Sequence, residues 1–289
     1  MSLKDFQVLS AVPVMFDESE NLDRAATRAV LEYIAASGVE QAFVGGTTAE
    51  FTALSDSERI QLFELGLDVF GPDRTVAHVG ATNAHQAVEL TKSARRLGIR
   101  RVAAISPNIH PTVRHRQLDY YRRIAQEAGS GGLYIYTYAE LTGVAVDPEY
   151  LSQLAAIPGV IGTKVSAQPL SDFPGLAAAA PPDFEILWGN DGVFDEVTAL
   201  GGTGTVSGVS SAFPTVFAAW ADALRLGDET AAALWGQRAR DAVSAVSCGI
   251  GGLKYALACR GLGTAVTRIP TATPAEEEAE RICRLTELY

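Results

Sequence analysis

Gln41-Ala-Phe-Val44, Gly45-Gly-Thr-Thr-Ala-Glu50, Ser55-Asp-Ser-Glu58 and Thr75-Val-Ala-His-Val79 follow one another in a single stretch of the chain. The first is an apolar run of strand length, and the paired glycines after it permit a tight turn. Ser55 with Glu58 three positions on is a capping box, opening a helix that closes near Gly71-Pro72. Thr75–Val79 then reads as the next strand. The stretch is a strand–helix–strand unit.

The unit repeats in both directions. Upstream, Gln7–Phe16 reads as strand one and Asp23–Ser37 as a helix stopped by Gly38. Downstream, Asn83 with Gln86 caps a helix ending at Gly98, and Arg101–Ile105 is strand four, with a helix over Gln117–Ala128. Leu133–Tyr138 is strand five, and Asp147-Pro148 is an N-cap with proline at the first helical position. Val160–Val165, Glu185–Trp188 and Gly204–Ser207 complete eight strands. Such alternation specifies an α/β chain with a parallel sheet, and eight units predict closure into a (β/α)8 TIM barrel. No G-x-G-x-x-G follows the first strand, which argues against a dinucleotide fold. Past the eighth unit only helices remain, over Asp228–Ala245, Gly251–Arg260 and Ala275–Leu288. Residues 1–226 are expected to form the barrel and 227–289 a C-terminal helical appendage packed on it.

The 289 residues are 47% hydrophobic and 20% charged, a globular rather than disordered composition. A net charge of −11 repels phosphate backbones and argues against a nucleic-acid partner, although one lysine can reverse the potential inside a pocket. No apolar stretch is long enough to span a membrane, and Met1 to Phe16 lacks a secretory pattern. Cys248, Cys259 and Cys283 are odd in number and form no Cys-x-x-Cys, so they read as reduced thiols of a cytoplasmic protein.

In such a barrel, reacting groups lie at the C-terminal ends of strands. Lys164, in Val160-Ile-Gly-Thr-Lys-Val165, stands near the end of an otherwise apolar strand. Alternation groups it with Gly162 and Val160 on one face, opposite Ile161, Thr163 and Val165. A lysine desolvated there has a lowered pKa and a free amine for imine formation; a lysine paired with a carboxylate is the alternative. In Gly45-Gly-Thr-Thr-Ala-Glu50 the hydroxyls and N–H groups suit a carboxylate, against the alternative of a plain turn. Tyr134, Tyr136 and Tyr138 share a face, suiting either packing or proton transfer. His78 closes strand three, and the four histidines form no metal pattern. Arg114 and Arg116 read as a solvated charge run, and Asp191 as the cap of the next helix.

Together these segments resemble the dihydrodipicolinate synthase / N-acetylneuraminate lyase family of Schiff-base pyruvate aldolases. The resemblance rests on Gly46-Thr-Thr-Ala-Glu50 with Leu54-Ser55, Tyr136 with Thr142-Gly143, Gly162-Thr-Lys164 and Gly204-Thr-Val-Ser207, in that order over roughly residues 5 to 285. It implies that Lys164 forms an imine with pyruvate or a 2-keto acid, that Tyr136 relays protons, and that Thr47, Thr48 and the main chain at Val206 bind the substrate. It implies neither a metal nor another cofactor, and a homo-oligomer, dimer or tetramer.

Several positions depart from the family pattern. Leu141, with Glu140 beside it, stands where synthases carry the arginine for a second carboxylate. Pro107-Asn-Ile-His-Pro111 lacks the tyrosine that reaches a neighbouring subunit's site. Ala49 replaces a usual glycine. The expectation is a lyase, aldolase or dehydratase, for a 2-keto-3-deoxy or 4-hydroxy-2-keto acid. Its distal pocket would be drawn from His110, Glu140, Leu141, Val165 and Ser166, favouring a polyol or neutral distal end. Dihydrodipicolinate synthesis and a non-catalytic ligand-binding barrel are the alternatives.

Overall fold

In the computed structural model, residues 6–107 and 112–289 are described. Eight parallel strands alternate with helices: β1 (Gln7–Ala11), α1 (Arg24–Ala36), β2 (Gln41–Val44), α2 (Asp56–Phe70), β3 (Thr75–His78), α3 (Ala84–Leu97), β4 (Arg101–Ile105) and α4 (Arg114–Ala128). There follow β5 (Leu133–Tyr138), α5 (Ala139–Thr142), α6 (Pro148–Ala155), β6 (Val160–Ser166), α7 (Phe173–Ala179), β7 (Glu185–Trp188), α8 (Phe194–Ala199), β8 (Gly204–Ser207) and α9 (Pro214–Leu226). Three more helices complete the chain, α10 (Glu229–Ala245), α11 (Ile250–Cys259) and α12 (Glu276–Leu288). β1 pairs with both β2 and β8, so the sheet closes on itself in chain order.

The caps form as their residue types dictate. Asp23 accepts from Ala26 N–H, Asn83 from Gln86 N–H and Asp147 from Tyr150 N–H, while Ser55 and Glu58 exchange both bonds of the capping box. β1 is shorter than expected, ending at Ala11 rather than Phe16; Pro13, which has no N–H to give a ladder, follows closely.

Alternation divides the core in two. Along β4, Ala103 and Ile105 face the barrel interior, whereas Val102 and Ala104 pack under the helices. Along β5, Tyr134 and Tyr136 point inward, and Leu133 and Ile135 outward. Each large side chain so buried contributes about 1.5–3 kcal/mol. Tyr134 lies at the foot of the barrel, its hydroxyl donating to Glu185 (2.8 Å), which also accepts from Gln7 (3.0 Å).

Two expectations need correction. Leu133 pairs with Val160 but Tyr134 with Gly162, so β6 carries a bulge at its start. Ile161 therefore packs in the interior cluster and Val160 in the outer one, the reverse of simple alternation, while Lys164 keeps its inward place opposite Tyr136. The second concerns the thiols. Cys259 and Cys283 are joined in a disulfide, their Cα atoms 5.5 Å apart, and only Cys248 is free. The packing of α11 on α12 brings the pair together, which sequence spacing does not reveal. The thiol argument for a cytoplasmic location therefore falls. Among the described residues, no single helix is long and apolar enough to cross a membrane.

Strand packing at β6 leaves no room at Gly162: a Cβ there would lie 2.5 Å from Glu185 O and 3.0 Å from Tyr134 Cδ1. Gly162→Ala is expected to destabilise the fold by about 1–3 kcal/mol, read as a lower urea midpoint with an unchanged m-value.

Candidate active site

The turn after β2 sets one wall of the barrel mouth. Gly45 sits at φ +72°, a left-handed conformation that suits glycine. Its carbonyl accepts from His78 Nδ1–H at 2.9 Å, while His78 Nε2 accepts from Ile105 N–H at 3.2 Å. These two bonds define the tautomer of a neutral imidazole. Burial, with the nearby Arg59 charge, holds the His78 pKa well below its usual value. Arg59, itself buried on α2, donates to His78 O at 2.6 Å. His78 is thus a brace joining three strand ends, a role that its position at the end of a strand did not reveal.

From this anchored glycine the chain enters a 3-10 turn, Thr47–Ala49. The left-handed residue of the turn is Glu50 (φ 54°) and not Ala49, so an alanine is accommodated at position 49 without strain. Glu50 is fully buried and paired with the fully buried Lys254 of α11, Oε1 to Nζ 2.5 Å. Its Oε2 accepts from the N–H groups of Arg268 and Ile269, both at 2.8 Å. Lys254 also donates to Val266 O (2.8 Å) and lies over the Phe16 ring. The turn carrying Thr47 and Thr48 is therefore clamped to the C-terminal part of the chain.

Lys164 rises from β6 beside Tyr136 of β5, its Nζ 4.2 Å from the centre of that ring and 5.1 Å from that of Phe43. Burial pushes its pKa down to about 8, against an upward pull from the Asp191 carboxylate. The same burial pushes the Tyr136 phenol up to about 12, offset by hydrogen bonds to Thr47 and Ser166. The Tyr136 hydroxyl lies 3.2 Å from Thr47 Oγ1. Thr47, Thr48, Tyr136, Lys164, Ser166 and Val206 all line one cavity of about 440 Å³.

Other expected residues fall elsewhere. Glu140 and Leu141 are exposed on the short helix α5 and do not line the cavity, because the chain turns outward directly after Tyr138. Val165 faces the outer core. His110 lies outside the described residues. Arg114 pairs with Asp147, and Arg116 with Asp119 at 3.7 Å.

Asp191 is the residue that sequence reading misplaced. Val193, not Asp191, precedes α8, and it makes no side-chain cap. Asp191 instead lines the cavity, its Oδ2 accepting from Val209 N–H (3.2 Å). Its Oδ1 is shielded from solvent and has no partner among the described residues. Burial raises its pKa to about 6, against the backbone hydrogen bond from Val209, the nearby Ser207 hydroxyl and the charge of Lys164. An aspartate after a strand and before a helix has the sequence of a cap, and nothing local distinguishes the two roles.

The sequence model of the Dihydrodipicolinate synthetase family matches residues 5–287. Among curated relatives, a 4-hydroxy-tetrahydrodipicolinate synthase of Exiguobacterium sp. is 28% identical over 266 residues, 91% of this chain and 90% of that protein. An N-acetylneuraminate lyase of Escherichia coli is 28% identical over 222 residues, 76% of this chain and 74% of that one. In fold, the chain is similar to the sialic acid aldolase of Ruminococcus gnavus, with a TM-score of 0.90 at 23% identity over 99% of this chain and 97% of that one.

Removing one member of the buried clamp strands the other's charge. Lys254→Met is expected to cost about 3–5 kcal/mol, and pairing it with Glu50→Gln to recover much of that. Urea denaturation of the two single variants and the double variant measures the coupling.

Proposed function

The chain belongs to the dihydrodipicolinate synthetase family, and from that membership and the cavity chemistry we propose that Lys164 forms the imine of a class I, pyruvate-dependent lyase. The observation that carries this assignment is the buried amine of Lys164, with a pKa lowered to about 8, in one cavity with Tyr136, Thr47 and Thr48.

A substantial neutral fraction of Lys164 is available near neutral pH to attack the C2 carbonyl of a 2-keto acid. Tyr136, protonated throughout this range, gives its proton to the carbinolamine oxygen and recovers one through Thr47. The donors of the Thr47–Thr48 turn hold the carboxylate, and the main chain at Val206 bounds the same end. Water leaves, and the protonated imine becomes an electron sink.

Two outcomes share that intermediate. In aldol cleavage of a 4-hydroxy-2-keto acid, the C4 hydroxyl loses its proton and the C3–C4 bond breaks. Its electron pair forms the enamine, and an aldehyde departs; protonation at C3 and hydrolysis then return pyruvate and Lys164. In dehydration, C3 loses a proton and the C4 hydroxyl leaves as water.

Condensation of pyruvate with aspartate semialdehyde is the second reading, supported by the synthase relatives. Weighing against it, Lys164 is the one cationic side chain on the cavity wall among the described residues. A homo-oligomer belongs to this proposal. Val113 and Leu141, 55% and 48% exposed in the segments after β4 and β5, offer apolar surface for such contacts.

Incubation with pyruvate and borohydride should leave a reduced pyruvyl adduct on Lys164 by peptide mapping, absent in Lys164→Ala; an intact protein with no adduct would overturn the proposal. The neutral amine is the reactive form, so trapping should rise with pH through about 8 and level off above it. An ordinary lysine would keep rising past pH 10. Tyr136→Phe should retain pyruvate binding and lower turnover by about 10²–10⁴-fold.

A further inference from the structure

The cavity above Lys164 has two chemically distinct sides. One carries the hydroxyls of Thr47, Thr48, Tyr136 and Ser166 beside the lysine. The other is built from Val209, Val243, Val246, Ile250 and Leu253. Leu253 and Val246 are nearly fully buried, while Val243 and Ile250 are half-buried where the wall meets solvent.

The two sides meet at Gly208: a Cβ there would lie 3.4 Å from both Leu253 Cδ1 and Thr48 Oγ1. The apolar wall thus begins where the turn bearing the carboxylate-binding hydroxyls ends. At about 440 Å³ the cavity falls in the range of ligands much larger than a three-carbon acid. What fills the remainder must match valine, isoleucine and leucine.

Charge narrows the choice. Among the described residues, no cationic side chain other than Lys164 faces the cavity, and Asp191 contributes a carboxylate whose Oδ1 has no partner. A second carboxylate on the substrate would meet repulsion there. A hydroxyl would supply the donor that Oδ1 lacks. A polyol tail could reach Asp191, Asn190 and Tyr138, but would leave the valine, isoleucine and leucine side chains of the wall without an apolar partner.

Resting on the imine chemistry proposed above, we infer that the substrate is a 2-keto acid with one hydroxyl near C4 and an alkyl or aryl group beyond it. The aldehyde released on cleavage is then a hydrophobic one. This narrows the neutral distal end expected from sequence to an apolar one.

The test is a series of 4-hydroxy-2-keto acids identical through C4 and ending in propyl, phenyl, trihydroxypropyl or carboxyethyl groups. Their consumption by the full chain is followed by mass spectrometry, so that cleavage and dehydration both register. Burial against such a wall favours binding about fourfold per methylene. The propyl and phenyl compounds should therefore show kcat/KM at least tenfold above the trihydroxypropyl and carboxyethyl ones. Val243→Asn and Ile250→Asn, at half-buried positions, should each shrink that ratio severalfold.

Pyruvate trapping on the same preparation separates the two levels of the argument. An adduct on Lys164 with no preference for the propyl or phenyl compound overturns the apolar substrate alone. Absence of any adduct overturns the imine chemistry beneath it.

Discussion

The cavity depends on one buried ion pair. Glu50 and Lys254 are both withdrawn from water, which is costly unless each charge meets the other and their remaining hydrogen-bonding capacity is used. Here Glu50 also accepts two backbone N–H groups, and Lys254 donates to a carbonyl and lies over an aromatic face. The pair joins the turn after β2 to α11, segments some two hundred residues apart in the chain. Thr47 and Thr48 belong to the first, Ile250 and Leu253 to the second, and all four line the cavity. Polar end and apolar wall are thus tied together by this pair. Arg268 reinforces it, bonding through its backbone to Glu50 and through its side chain to Ala53 O and Glu58.

Burial acts in opposite senses on the groups around this cavity. It disfavours the charged form of each, so the amine of Lys164 becomes easier to deprotonate while the phenol of Tyr136 and the carboxyl of Asp191 become harder to ionise. Behind the cavity, burial likewise keeps His78 a neutral ring that braces the strand ends. A single desolvated environment thus yields a free amine and a protonated phenol side by side, the pairing that imine chemistry requires.

Much of this was legible in the sequence because the determinants are local. Caps at Asp23, Ser55, Asn83 and Asp147 have short-range signatures, and period-two alternation correctly put Tyr134, Tyr136 and Tyr138 on one face of β5. Lys164, Tyr136, Thr47 and Thr48 stand at strand ends, where barrel geometry brings separate units together. What escaped depends on contacts between distant segments. Asp191 has the local context of a cap, and its role appears only once Val209 and Lys164 surround it. Glu140 and Leu141 were placed in the distal pocket from the family pattern before Thr142-Gly143, yet α5 carries them outward. The clamp left one trace, a lone lysine in the apolar run Gly251-Gly-Leu-Lys-Tyr-Ala-Leu257, which gives no clue to its partner. The disulfide left none.

The bulge at the foot of β6 separates the reading frame of that strand's lower end from that of its mouth. Tyr136, through the pairing of β5 with β6, decides that Lys164 points inward; the number of residues back to the start of the strand does not. A closed barrel has no free edge where a length change could be lost, so an extra residue must be absorbed within the ring. Ile161 is that residue. The irregularity is taken up below Gly162, so the mouth of the strand keeps its register and the lysine its inward place whatever the count of residues beneath it.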